Sequence, residues 1–251
     1  MNALRPLLHA AVASALASLG AAQSVWPPSF ASVRGNAVMN APFTVAPHHA
    51  TTTTRCCVVL DAATLPFPQG TVLTRLSLRR DGAYPQNYAA ASGQLMVRIG
   101  RAAAAPGDLA DVRFAGLFDG PSEAVYISTP QNPFVLPAAT APTGTGPAPF
   151  GVVIPFQANY TWNGGPLAIE MTWTPASGSS AFRVDAIALP RRNGTSRTVA
   201  SGCTGSNGFA PTHFVLPETT SPGAVLQTQL EGTRTPTTLA ETCLLYTSRC
   251  V

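Results

Sequence analysis

The chain has 251 residues, of which 45% are hydrophobic and only 10% charged, with 15 basic against 11 acidic residues. Every basic residue is Arg; the sequence contains no Lys. Charge this sparse, against the usual ~25%, excludes a charge-driven disordered chain and a long coiled coil. A scattered net charge of +4 lacks the clustered basic face that a nucleic-acid partner requires.

Residues 1–22 predict a secretory signal peptide. Arg5 supplies the positive start, residues 7–19 form an apolar run, and Gly20-Ala21-Ala22 offers small residues for cleavage before Gln23. The run is too short for a bilayer span of ~20 apolar residues, and no later segment is long enough either. The expectation is a secreted protein, extracellular or at the cell surface, with no membrane span.

Strand patterns dominate residues 23–190. Residues 71–79 alternate, with Val72, Thr74, Leu76 and Leu78 on one face and Leu73, Arg75, Ser77 and Arg79 on the other. Leu95, Val97 and Ile99 alternate with Gln94, Met96 and Arg98; Leu167, Ile169, Met171 and Trp173 alternate with Ala168, Glu170 and Thr172; Phe182, Val184, Ala186 and Ala188 alternate with Arg183, Asp185 and Ile187. A period of two marks half-buried antiparallel strands. Shorter strands are expected at 55–60, 124–128, 134–136, 152–156 and 159–162. Turn residues separate them, among them Asp81-Gly82, Asn132-Pro133 and Asn163-Gly164-Gly165-Pro166. One short helical turn is expected near Pro106-Gly107-Asp108, and residues 139–149 read as a Pro/Thr/Gly loop. The predicted fold is all-β: an antiparallel, jelly-roll-like β-sandwich.

Beyond residue 190 the pattern changes. Residues 191–202 are polar and rich in Gly, Ser and Thr, which predicts a linker. Residues 203–242 predict strands at 213–216 and 224–230, too little for an independent core, and read as a truncated second β module. Residues 243–251 differ in style. Leu245-Tyr246-Thr247-Ser248 can be encoded TTA TAC ACA TCT, whose reverse complement reads Arg-Cys-Val-stop, the observed ending. This inverted repeat resembles a translated tagmentation adapter, so these nine residues are expected to be a sequencing artefact, the real protein continuing past Thr242.

The residues able to carry chemistry are few. In a secreted chain Cys203, Cys56 and Cys57 are candidate disulfide cysteines. Cys56 and Cys57 are neighbours in a strand, so they face opposite sides and cannot both meet one partner. Either one thiol is free or a partner lies past the chain's end; the second is expected for Cys203. His48-His49 and the isolated His213 lack zinc-type spacing, and Asp108, Asp111 and Asp119 lack an EF-hand pattern, so no metal and no cofactor is expected. Glu170 and Asp185 would serve a glycosidase only if they met across a cleft, and a cross-strand pair of Glu170 with Arg183 is an equal expectation. No nucleophile elbow and no phosphate loop is present. Trp162 and Tyr160, beside Asn163-Gly164, are candidate ligand contacts for a sugar-stacking platform, provided Trp162 is exposed.

Leu60-Asp61-Ala62-Ala63-Thr64-Leu65-Pro66, residues 74–82, Val152-Val153-Ile154-Pro155-Phe156, Pro166-Leu167-Ala168-Ile169-Glu170 and Gly202-Cys203-x-Gly205-Ser206-Asn207-Gly208 together resemble uncharacterised secreted β-sandwich proteins of planctomycete-like bacteria. The resemblance implies an extracellular β protein whose second module begins near Cys203 and is closed by a later cysteine. It supplies no catalytic residue.

The functional expectation is therefore a secreted, non-enzymatic β-sandwich protein with a structural or adhesive role at a surface. The alternative is a carbohydrate-binding module of a larger extracellular hydrolase. Extracellular polysaccharide or cell-surface components are the expected partners, and nucleic acid is not. A hydrolase built on Glu170 and Asp185 ranks third.

Overall fold

The computed structural model describes residues 22–26, 28–39, 42–43, 53–105, 116–176 and 182–188, and the strands at 196–204, 224–226 and 228–233. Its strands are β1 Ala22–Trp26, β2 Ala37–Met39, β3 Thr53–Leu60, β4 Thr71–Leu78, β5 Ala91–Arg101, β6 Glu123–Ile127, β7 Phe134–Leu136, β8 Val152–Trp162, β9 Leu167–Pro175, β10 Val184–Ala188, β11 Ser196–Thr204, β12 Ala224–Leu226 and β13 Thr228–Thr233. Among the described residues helix is confined to short 3-10 turns such as Pro28–Phe30 and Ala62–Thr64. The expected antiparallel all-β sandwich is the fold observed.

One sheet has the order β11-β3-β9-β5-β6, with β7 also paired to β5; a second has the order β1-β13-β4-β8; a small third has the order β12-β10-β2. All their pairings are antiparallel. The chain crosses from the first sheet to the second and back between β3 and β5, and again between β7 and β9. β9 inserts between β3 and β5. This alternation between sheets builds an antiparallel sandwich.

The core lies between the two large sheets. Cys56, Val58 and Leu60 of β3, Leu95, Val97 and Ile99 of β5, and Leu167, Ile169, Met171 and Trp173 of β9 face Leu73, Leu76 and Leu78 of β4 and Val152 and Ile154 of β8. The alternation expected for β5 and β9 is present. In β4 it is interrupted. Leu73 pairs with Tyr160 and Arg75 with Pro155, so the register with β8 slips there, and the pairing with β13 slips at the same place. A bulge reverses which face successive residues present, so Leu73 is buried together with Leu76 and Leu78 rather than opposite them. The outer side of β3 and β9 is covered as well: Cys57, Val59 and Ala168 pack under Ala102 and Leu117 in a second, smaller cluster.

The segments expected as a linker and a separate module from residue 191 onward include strands that pair with earlier parts of the chain. β11, which includes most of the expected linker, pairs with β3 from Ser196 opposite Leu60 to Thr204 opposite Thr53. β13 lies between β1 and β4, and β12 pairs with β10. A strand too short to hold a core of its own joins the edges already present, where its backbone groups find partners. The segments at 1–21, 106–115, 205–223 and 234–251, which carry the signal, helical-turn, 213–216 strand and adapter expectations, lie outside the described residues.

Candidate functional site

The chain leaves β4 through Arg79-Arg80-Asp81-Gly82, and successive residues point to opposite sides. Arg79 is buried. Its Nε donates to Asp185 Oδ2 at 2.7 Å, and its Nη2 donates to the carbonyls of Phe30 at 3.1 Å and Val33 at 2.6 Å. The Gly35 N–H donates to both Asp185 oxygens, at 3.0 and 3.1 Å. The backbone seals the same junction, with Asp185 N–H donating to Arg79 O at 3.0 Å. Burial pushes the Asp185 carboxyl above its ordinary value, while the Gly35 N–H and the Arg79 charge pull it back down. This ion pair fastens the 28–36 segment to the sandwich.

Arg80 turns the other way and braces a loop. Its Nη1 donates to the carbonyls of Ala139 at 3.2 Å and Thr140, its Nη2 to those of Tyr84 and Gln86 at 2.9 Å each, and its Nε to Asp81 O at 3.4 Å. All five guanidinium N–H groups are thereby used. The guanidinium also lies 4.4 Å above the Tyr88 ring. Tyr88 stacks on Tyr84 at 5.4 Å, and Arg183 caps the column 4.2 Å from the Tyr84 ring. Asp81 fills the expected turn role, accepting the Ala83 N–H at 2.9 Å.

Between Arg80, Phe182 and the 137–152 segment lies a cavity of about 610 Å³, within the ~300–1,000 Å³ of small-molecule sites. Its walls are Pro, Ala, Gly and Val with the hydroxyl residues Thr140 and Thr143; Arg80 is its one charged residue. Arg34 holds the far side, donating from Nε to Gly146 O at 2.8 Å and from Nη2 to Gly144 O. With the Arg80 donors consumed, the cavity offers shape, backbone groups and two hydroxyls. It suits an uncharged ligand and holds no nucleophile or acid–base pair. The sequence shows this segment only as an aperiodic loop; the one available signal is Arg79-Arg80 directly after an apolar strand.

The residues singled out from sequence do not converge. Glu170 lies on the outer face of the six-stranded sheet, opposite Cys57 on β3 and Arg98 on β5. Its Oε2 accepts from Arg55 Nη2 at 2.7 Å, so Arg55 rather than Arg183 is its cross-strand partner. Its buried Oε1 has no hydrogen-bond partner among the described residues. Asp185 belongs to the small third sheet. Trp162, a candidate ligand contact on the condition that it is exposed, is 6% exposed and Tyr160 9%. The Trp162 ring meets Phe67 edge-on at 5.3 Å, and its indole N–H donates to Gly165 O at 3.1 Å. The tight turn at Gly164 and Gly165, both with positive φ, folds back over the indole.

Cys56 and Cys57 are free and buried on opposite faces. In β11 they face Ala200 and Val199 respectively, while Cys203 lies past them, between Ser201 opposite Arg55 and Thr204 opposite Thr53. Burial, first, and the Glu170 charge raise both thiols far above their ordinary value. Asp119 forms an exposed ion pair with Arg101 at 3.4 Å. His48, His49, His213, Asp108 and Asp111 lie outside the described residues. Among the described residues, no three His, Cys, Asp or Glu side chains come together to hold a metal ion, and no helix is long and apolar enough to cross a membrane.

Comparison with known protein families, with curated proteins and with solved structures finds no match to this chain. The fold and the cavity define an antiparallel β-sandwich with an arginine-braced, mostly apolar pocket.

Proposed function

We propose that this protein is a secreted, non-catalytic β-sandwich that acts by contact, in a structural or adhesive role at an extracellular surface. One observation carries the reading. Glu170 and Asp185, the two carboxylates that a glycosidase reading would pair, belong to different sheets, and each is ion-paired to its own arginine. A general acid and a general base must flank one bond, and these two carboxylates serve packing instead. Secretion rests on the pattern of residues 1–22. The neutral cavity beside Arg80 is where an uncharged extracellular group would be held. Because Trp162 and Tyr160 are buried, the carbohydrate-module alternative lacks an aromatic platform there.

The test is expression of the gene with its own N-terminus in a bacterial host. The expected outcome is protein in the medium or on the envelope, beginning at Gln23, that sediments with envelope or polysaccharide and leaves it chemically unchanged. Polysaccharide hydrolysis that disappears in Glu170→Gln or Asp185→Asn, with the fold intact by circular dichroism, overturns the reading. So does retention of the protein in the cytoplasm.

A further inference from the structure

Arg80 decides what the cavity beside it can take. The carbonyl oxygens of Asp81, Ala139, Thr140, Tyr84 and Gln86 accept from the edges of its guanidinium. One flat face lies 4.4 Å from the centre of the Tyr88 ring. The opposite face is the part of the head group that can meet a ligand. A guanidinium whose edges are consumed makes no bidentate bond to a carboxylate or phosphate, but its face still attracts a π system.

The other walls agree with an aromatic guest. Pro137, Pro142, Pro147 and Pro149 line the cavity with compact apolar rings, and Phe182 adds an aromatic one. Proline rings pack on aromatic faces wherever Pro-rich chain meets an aromatic groove, and aromatic pairs gain beyond their buried area. No carboxylate stands among the described walls, so a cation would meet only the charge of Arg80. An anion would lose its water and find no free guanidinium N–H. Thr140 and Thr143 are exposed and offer hydroxyls to a polar substituent. A cavity of about 150 Å³ holds benzene, so one of about 610 Å³ has room for two fused rings.

We propose that this cavity binds an uncharged aromatic group of the phenol class, its ring stacked on the free face of Arg80 and its hydroxyl turned to Thr140 and Thr143. The proposal rests on the reading of the cavity as the place where an uncharged group is held, and it names that group. A sugar has no π face for Arg80, and most of its hydroxyls would lie unpaired against proline and alanine.

The experiment titrates 2-naphthol into the purified full chain at about pH 7, followed by calorimetry and NMR. Binding is expected to saturate and to be about tenfold tighter than that of decahydro-2-naphthol, which keeps the skeleton and loses the π system. It is also expected to be tighter than that of 2-naphthoate, which carries a charge. The Arg80 Nε–H signal, assigned through bonds, is expected to move upfield, because a ring over the guanidinium face shields it. Thr140→Val combined with Thr143→Val, both at exposed positions, is expected to weaken 2-naphthol about fivefold. Absence of saturable binding, decahydro-2-naphthol that binds as tightly, or an Arg80 Nε–H signal that does not move overturns the proposal. The titration uses purified protein, so its outcome does not depend on where the cell sends the chain. A protein retained in the cytoplasm that still binds 2-naphthol in this way overturns the secreted reading and supports the site.

Discussion

Arg79 and Asp185 meet at 2.7 Å with both side chains 1% exposed. They are 106 residues apart in the chain, and between them they fix the end of β4, the start of β10 and the 28–36 segment.

Arg79→Met leaves the Asp185 carboxylate buried without its counter-charge, a loss of about 3–5 kcal/mol near neutral pH. The pH dependence has a definite sign. Asp185 already sits above its ordinary value through burial, and losing Arg79 raises it further. A carboxyl whose folded value is raised contributes stability below its unfolded value and loses it as pH rises through the folded value. Urea unfolding should therefore show the Arg79→Met deficit growing as pH rises above the ordinary carboxylate range of about 4. Adding Asp185→Asn removes the titrating charge, and that growth should vanish.

Gly35 lies so close to β10 that an added Cβ would sit 1.9 Å from the Ala186 carbonyl oxygen. Gly35→Ala forces the 28–36 segment away from Asp185 and should cost about 3 kcal/mol, read as a lowered melting temperature with earlier proteolytic cutting in that segment. Gly146, with nothing near its Cβ position and no positive φ, is the control: Gly146→Ala should change stability by less than about 1 kcal/mol.

Trp162 is a core residue. Trp162→Ala should cost about 3–5 kcal/mol, and Trp162→Phe, which keeps the contact with Phe67 but leaves Gly165 O without its donor, about 1 kcal/mol. Chemical denaturation measures both. A Trp162→Ala variant with wild-type stability would show an indole outside the core.

Cys56 and Cys57 should be inert while the protein is folded. With Cys203, Cys243 and Cys250 replaced by Ser, an aromatic disulfide reagent should label no thiol in native buffer and two in denaturant, since the thiolate is the reactive form and burial suppresses it. Labelling at the rate of simple cysteine in native buffer would place a thiol at the surface.

Some of this arrangement is legible in the chain. The alternation of Leu95, Val97 and Ile99, the glycine turn after Trp162 and the opposite faces of Cys56 and Cys57 follow from strand geometry and turn chemistry, which act over a few residues. β4 is where the same reading fails. Its period is regular in sequence, but the bulge opposite residues 156–159 turns Leu73 inward. The sequence beside Asn163-Gly164 leaves the exposure of Trp162 open because nothing local announces Phe67.

The sequence by itself determined an antiparallel all-β chain with its turns at Asp81-Gly82 and Gly164-Gly165, because backbone pleating and φ preferences are properties of neighbouring residues. Only the tertiary structure decided that Glu170 meets Arg55, that Asp185 meets Arg79, that Gln157 bonds to the Ile127 backbone, and that 196–204 and 228–233 complete sheets begun far earlier in the chain. Each of those contacts joins residues separated by dozens of positions. Their partners are chosen by strand order and register, which the packing of the whole core sets at once.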